Sequence, residues 1–202
     1  MTEESQKGEF MSIGGIGNYG YANGYANGNY LSSSSAQQTT GFSSAGVTSE
    51  ITLHYTDGES GDTALTAVGF PDGSSASVYK ADNYNDANPE YRVRYWNKSG
   101  EYEDINVKIN DVDPTNASFI EMLAYATYSD VQGYTQNAYG DFLSATQGVG
   151  GNMIYDETNI NQKYDFKSLI LEFMTMQYKN NNLAGYHSCK QFYDYMNDRV
   201  AS

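Results

Sequence analysis

Hydrophobic positions are sparse up to about residue 47 and then fall into two successive rhythms. From Thr48 they alternate with polar residues: Ile51, Leu53 and Tyr55 interleave with Thr52 and His54, which predicts a strand ending in the turn Asp57-Gly58. Ala67–Phe70 and Ser77–Lys80 are weaker strand segments around the turn Pro71-Asp72-Gly73. The clearest β pattern is a hairpin. Tyr91, Val93 and Tyr95 share one face and Arg92, Arg94 and Trp96 the other, Asn97–Gly100 turns the chain, and Ile105, Val107 and Ile109 line the return strand. Arg92 and Arg94 are expected across from Glu101 and Glu103.

Beyond residue 110 the period becomes helical. Asp113-Pro114 can open a helix, and Ser118 with Glu121 has capping-box spacing, so either can be the start. Phe119, Met122, Leu123 and Ala126 form a buried stripe that Gly133 ends. A shorter helix is expected over 136–145, followed by a glycine loop over 148–151. An amphipathic helix carries Phe166, Leu169, Ile170, Phe173 and Met176 and stops in Asn180-Asn181-Asn182. A last helix begins near Gly185 with Cys189, Phe192, Tyr193, Met196 and Val200 on its apolar side. Strands grouped before helices predict an α+β fold: a small antiparallel sheet of three to five strands followed by three or four packed helices. This domain spans 48–202, β-rich over 48–110 and helical over 111–202.

Residues 1–47 read differently. Gly20–Tyr30 contains a tandem Gly-Tyr-Ala-Asn unit, and Ser, Gln, Thr and Gly dominate up to Gly46. Little aliphatic burial offsets the entropy of ordering such a segment, so it is expected as a disordered Gly/Tyr/Asn/Ser-rich arm. Polar–aromatic tracts of this kind favour association, which makes Tyr21, Tyr25 and Tyr30 candidate contact residues.

Composition sharpens the picture. Leu, Ile, Val and Phe supply only 34 of 202 residues, while tyrosine adds 20 large side chains. Either the core is built with tyrosine in place of leucine, or Tyr125, Tyr128, Tyr134, Tyr139, Tyr155 and Tyr164 leave an aromatic surface suited to protein or glycan contact. With Arg92 and Arg94 on its face, Trp96 belongs to that candidate surface. The formal charge of −14 argues against sequence-independent nucleic-acid binding and against anionic membrane surfaces. No run of about 18 apolar residues occurs, and Met1–Lys7 has neither the basic nor the apolar region of a Sec signal, so the chain is expected to be cytoplasmic or exported without one.

Val78–Lys80, Asn88–Tyr91, Tyr102-Glu103 and, above all, Val112–Ala124 resemble a group of uncharacterised small Firmicutes (clostridial) proteins. Those proteins share a Val-Asp-Pro-x-Asn-Ala-Ser-x-x-Glu-Met-x-Ala motif and a start like Met11–Ile16. The resemblance implies a bacterial origin and a domain of unknown function, and it transfers no catalytic residue.

Candidate chemistry is thin. His187-Ser188-Cys189 with Asp194 invites a nucleophile reading, but helical spacing puts Cys189 on the apolar stripe and His187 about 200° away, so a buried structural cysteine is expected. His54 is expected to face solvent. Asp57, Glu59 and Asp62 in one loop, and Asp82 and Asp86 in another, offer hard oxygen ligands of the kind calcium takes, though neither loop has the EF-hand pattern. No other cofactor is expected. The chain therefore reads as a non-enzymatic interaction or assembly protein with a protein partner or a second copy of itself. The alternatives are an acidic inhibitor or nucleic-acid mimic that binds a basic protein, and a small secreted hydrolase.

Overall fold

The computed structural model describes residues 24–25, 37–44, 47–57, 60–149 and 155–200. Among these described residues seven strands precede four α-helices, the expected α+β order. Strands β1 (Gly24–Tyr25), β4 (Thr66–Gly69), β5 (Ser75–Lys80), β6 (Glu90–Trp96) and β7 (Tyr102–Lys108) form one antiparallel sheet in the order β1-β4-β5-β6-β7. Strands β2 (Gln37–Ser44) and β3 (Val47–His54) form a separate hairpin, and β3 packs on β4 and β5. Two strands thus fall within the segment expected as an arm. Apart from Val47, which opens β3, its remaining residues lie outside those described.

The alternation in β5 and β6 assigns the two sheet faces. Ala76 and Val78, with Tyr91, Val93 and Tyr95, point to the helical side and belong to the main core. Against them lies α1 (Phe119–Val131), with every residue from Phe119 to Ser129 except Glu121 buried. A helix apolar nearly all round must be covered on all sides. The sheet covers one side and α2 (Ala138–Gly148) another, Phe192 and Tyr195 of α4 (Leu183–Val200) meet Tyr125, and α3 (Phe166–Lys179) packs on α2 and α4. Of the two possible helix starts, Ser118 prevails. Its hydroxyl accepts from the Glu121 amide while Glu121 accepts from the Ser118 amide, and Asp113 instead closes the preceding turn through Thr115. Gly133, at φ 75°, turns the chain out of α1 in the left-handed region glycine tolerates.

Tyrosine does much of the work of leucine here. Tyr91, Tyr125 and Tyr139 are fully buried, and Tyr128 and Tyr155 nearly so. Tyr139 sends its hydroxyl to the Ala67 carbonyl at 2.6 Å, tying α2 to the sheet. Tyr134 and Tyr164 remain exposed.

Candidate functional site

The outer face of the sheet carries the densest polar chemistry. Register places Ser75, Trp96 and Tyr102 in one row, Ser77, Arg94 and Asp104 in the next, and Tyr79, Arg92 and Asn106 in a third. The expected pairing of the two arginines with Glu101 and Glu103 is corrected. Asn97 accepts the amides of Ser99 and Glu101 on its side chain, so Glu101 belongs to the turn and Asp104 falls opposite Arg94. Glu103 points to the other face, opposite Tyr95.

Arg94 donates from Nε and Nη2 to the two carboxylate oxygens of Asp104, at 2.7 and 2.8 Å, and from Nη1 to Asp57 at 2.9 Å. Arg92 meets the other Asp57 oxygen at 2.7 Å. The Asp57 side chain is 1 % exposed, so its charge depends on this arginine pair for compensation. Hydrogen bonds from Arg94 hold Asp104 below the usual carboxylate range, against an opposing cost of burial. The same Asp104 contact, outweighing burial, raises Arg94. The guanidinium of Arg94 also stacks over the Tyr102 ring at 4.0 Å, and that of Arg92 over Tyr79 at 4.9 Å. Two cations thus face Asp57, Asp104 and, at 3.7 Å from Arg92, Asp62. Asp57 and Asp104, the carboxylates in short contact, match the two arginines in charge, and the exposed Asp62 adds a third negative charge at the rim. The effect of the cluster is to pin the segment after β3 and the edge strand β7 onto the sheet.

Trp96 and His54 complete this layer, and both depart from expectation. Trp96 is only 7 % exposed, in a small cluster with Ala64 and Tyr79. His54 is half-buried, its ring stacked on the indole at 4.1 Å between centroids and 12° between planes. Burial lowers its pKa. The reason is the hairpin: β3 lies over the outer face, and Ser77 Oγ donates to the His54 carbonyl at 2.6 Å. Arg92, Arg94 and Trp96 are therefore covered, which corrects their assignment to an exposed aromatic surface.

The calcium candidates do not converge. Asp57 is held by the arginines, and Glu59 lies outside the described residues. Asp62 is exposed and accepts from Ser60, and Asp82 and Asp86 are exposed in the β5–β6 connection. Among the described residues no three His, Cys, Asp or Glu side chains are placed to hold a metal. Tyr21 and Tyr30 lie outside the described residues. Tyr25 pairs with Thr66 through β1, and its side chain lies outside them too.

Cys189 is buried, as its helical position implies, and His187 is exposed on another side of α4. What the spacing did not reveal is its neighbour from α2. Asp141 is 6 % exposed, accepts from Ser188 Oγ at 2.7 Å, and is pushed up to about 6 by desolvation, against hydrogen bonds from Ser188, Cys189 and Asn137. Burial and the adjacent carboxyl push the thiol up, so Cys189 is a poor nucleophile. The native protein is expected to resist an aromatic disulfide reagent at pH 8 and to react stoichiometrically once unfolded in guanidinium. Rapid native labelling would contradict this placement.

Three exposed large apolar residues lie on the α3–α4 hairpin, while Tyr102, Val131, Tyr134 and Tyr164 are exposed at other places. On α3, Leu171 and Tyr178 lie two turns apart on the side away from Phe166, Ile170 and Phe173, at 40 % and 61 % exposure, and Leu183 follows at 54 %. An open groove alongside is lined by Leu171, Glu172, Thr175, Met176, Lys179 and Asn180. The helical pattern of the core residues predicted this helix. The same pattern, read for apolar residues out of phase with the core, would have exposed Leu171 and Tyr178.

Comparison with protein-family models, with curated proteins and with solved structures yields no match. Among the described residues no helix is long and apolar enough to cross a membrane.

Proposed function

We propose that this chain is a non-enzymatic interaction or assembly protein whose contact surface is the outer face of the α3–α4 hairpin. The observation that carries the reading is the grouping of Leu171, Tyr178 and Leu183 outside the core, next to an open groove. Large apolar side chains held together in water mark contact surfaces more often than isolated ones do. Charge points the same way. Residues 163–200 carry five basic and four acidic side chains, a formal +1, while the rest of the chain carries −15. A partner can approach the hairpin without meeting the repulsive field of the acidic remainder.

That same asymmetry favours a second reading, an acidic inhibitor or nucleic-acid mimic docking a basic protein through the sheet side, where Asp82, Asp86, Asp111 and Asp113 are exposed. One experiment separates the two. A photo-crosslinking amino acid is placed at Tyr178 or at Asp82 of the full chain, which is then irradiated in the source cells. A covalent adduct from position 178 is expected. An adduct from position 82 alone favours the acidic reading over the first, and the absence of adducts from both overturns both.

A further inference from the structure

The groove on α3 carries charges of opposite sign at equal distances from its midpoint, which helix spacing alone does not supply. Its six residues pair about a point midway between Thr175 and Met176: Leu171 with Asn180, Glu172 with Lys179, and Thr175 with Met176. A two-fold axis through that point lays a second α3 antiparallel on the first and brings each of these residues opposite its counterpart from the other copy. An isologous contact needs such a self-complementary patch.

We propose that this face of α3 is the contact of a homodimer, in which Glu172 of each copy pairs with Lys179 of the other across a strip formed by Leu171, Thr175 and Met176. The proposal rests on the interaction reading above and names the partner as a second copy of the chain. Within one chain Glu172 and Lys179 are seven residues apart, about 10 Å along the axis, and neither forms an ion pair among the described residues. The two-fold supplies each with an opposite charge twice per dimer. Thr175 and Met176 at the centre are compact and adaptable enough for two helices to close on them at the usual 8–10 Å. Leu171 adds apolar area toward each end. The hairpin is also the part of this acidic molecule where two copies meet least repulsion. At about 0.15 M salt the Debye length is roughly 8 Å, so the acidic remainders are screened while charges in contact are not.

A single helix pair buries little area, so the expected dimer is weak and concentration-dependent. Sedimentation equilibrium of the purified full chain over a wide concentration range is expected to show a monomer–dimer equilibrium. Glu172→Lys and Lys179→Glu each remove two attractive pairs and create two repulsive ones, and each is expected to weaken association by about tenfold. The double exchange E172K/K179E restores the pattern in reverse and is expected to recover the affinity. All three changes are at exposed positions, so folding is retained, and circular dichroism verifies that. A chain monomeric throughout, or a double exchange no better than the single ones, overturns the second-copy assignment. An adduct of heterologous mass at position 178 would then leave the broader interaction reading standing, and no adduct there would remove that reading as well.

Discussion

Arg94→Ala is expected to lower the unfolding free energy by about 3–5 kcal/mol, the range for breaking a buried ion pair from one side. The cost comes less from the lost attraction than from what stays behind. Asp57 would keep its carboxylate in the interior with one arginine in place of two, and Asp104 would lose both of its short contacts. Removing both partners of the buried pair is a different matter. Asp57→Asn with Arg94→Met removes the buried carboxylate and leaves Arg92 facing Asp104, and it is expected to recover much of the loss despite deleting more of the network. Chemical denaturation of the two variants at pH 7 is the measurement. If the double variant is as unstable as Arg94→Ala, the ion pairs contribute net stability and the interpretation of the layer as a charge-balanced clamp must be revised.

Asp141 gives the second large effect, with the opposite sign. Its carboxyl titrates near 6 in the folded protein against an ordinary 3.8. A carboxyl with a raised folded pKa contributes stability below the unfolded pKa and loses it as pH rises through the folded one. Two units correspond to about 3 kcal/mol, lost between about pH 4 and pH 6 and absent above. Asp141→Asn keeps an acceptor for Ser188 and has no charge to bury. It is therefore expected to be the more stable form at pH 8 by up to about 3 kcal/mol, with the advantage vanishing toward pH 4. Wild-type stability alone will not show this cleanly. Asp104, Asp113, Glu121 and Asp156 are shifted down and lose stability as pH falls, which opposes the Asp141 trend. The difference between the two proteins, measured across pH, isolates the one residue. A flat difference would show that the Asp141 carboxyl is solvated.

These two effects also mark where sequence reasoning reached and where it stopped. Period-two alternation in Tyr91–Trp96 and period-3.6 stripes in α1 and α3 identified the elements because burial on one side imposes that rhythm. The capping box at Ser118 was legible because it is local. Register was not, since it depended on Glu101 being drawn into the turn by the Asn97 side chain. The covering of Trp96 and His54 was not legible either. Exposed and buried faces of a sheet alternate alike, and only the docking of β3 decides which is wet. Asp141 beside Ser188 and Cys189 is a contact 47 residues long in sequence, with no pattern at either end to announce it.

Trp96 is the chain's single tryptophan, and it sits in the layer between the hairpin and the sheet, stacked on a histidine. Its fluorescence therefore reports on that layer alone, whereas far-ultraviolet circular dichroism is dominated by the four helices on the far side of the sheet. The two signals view opposite faces of one molecule without any label. Whether they change at the same denaturant concentration tells directly whether the β-hairpin layer melts with the helical body or detaches ahead of it.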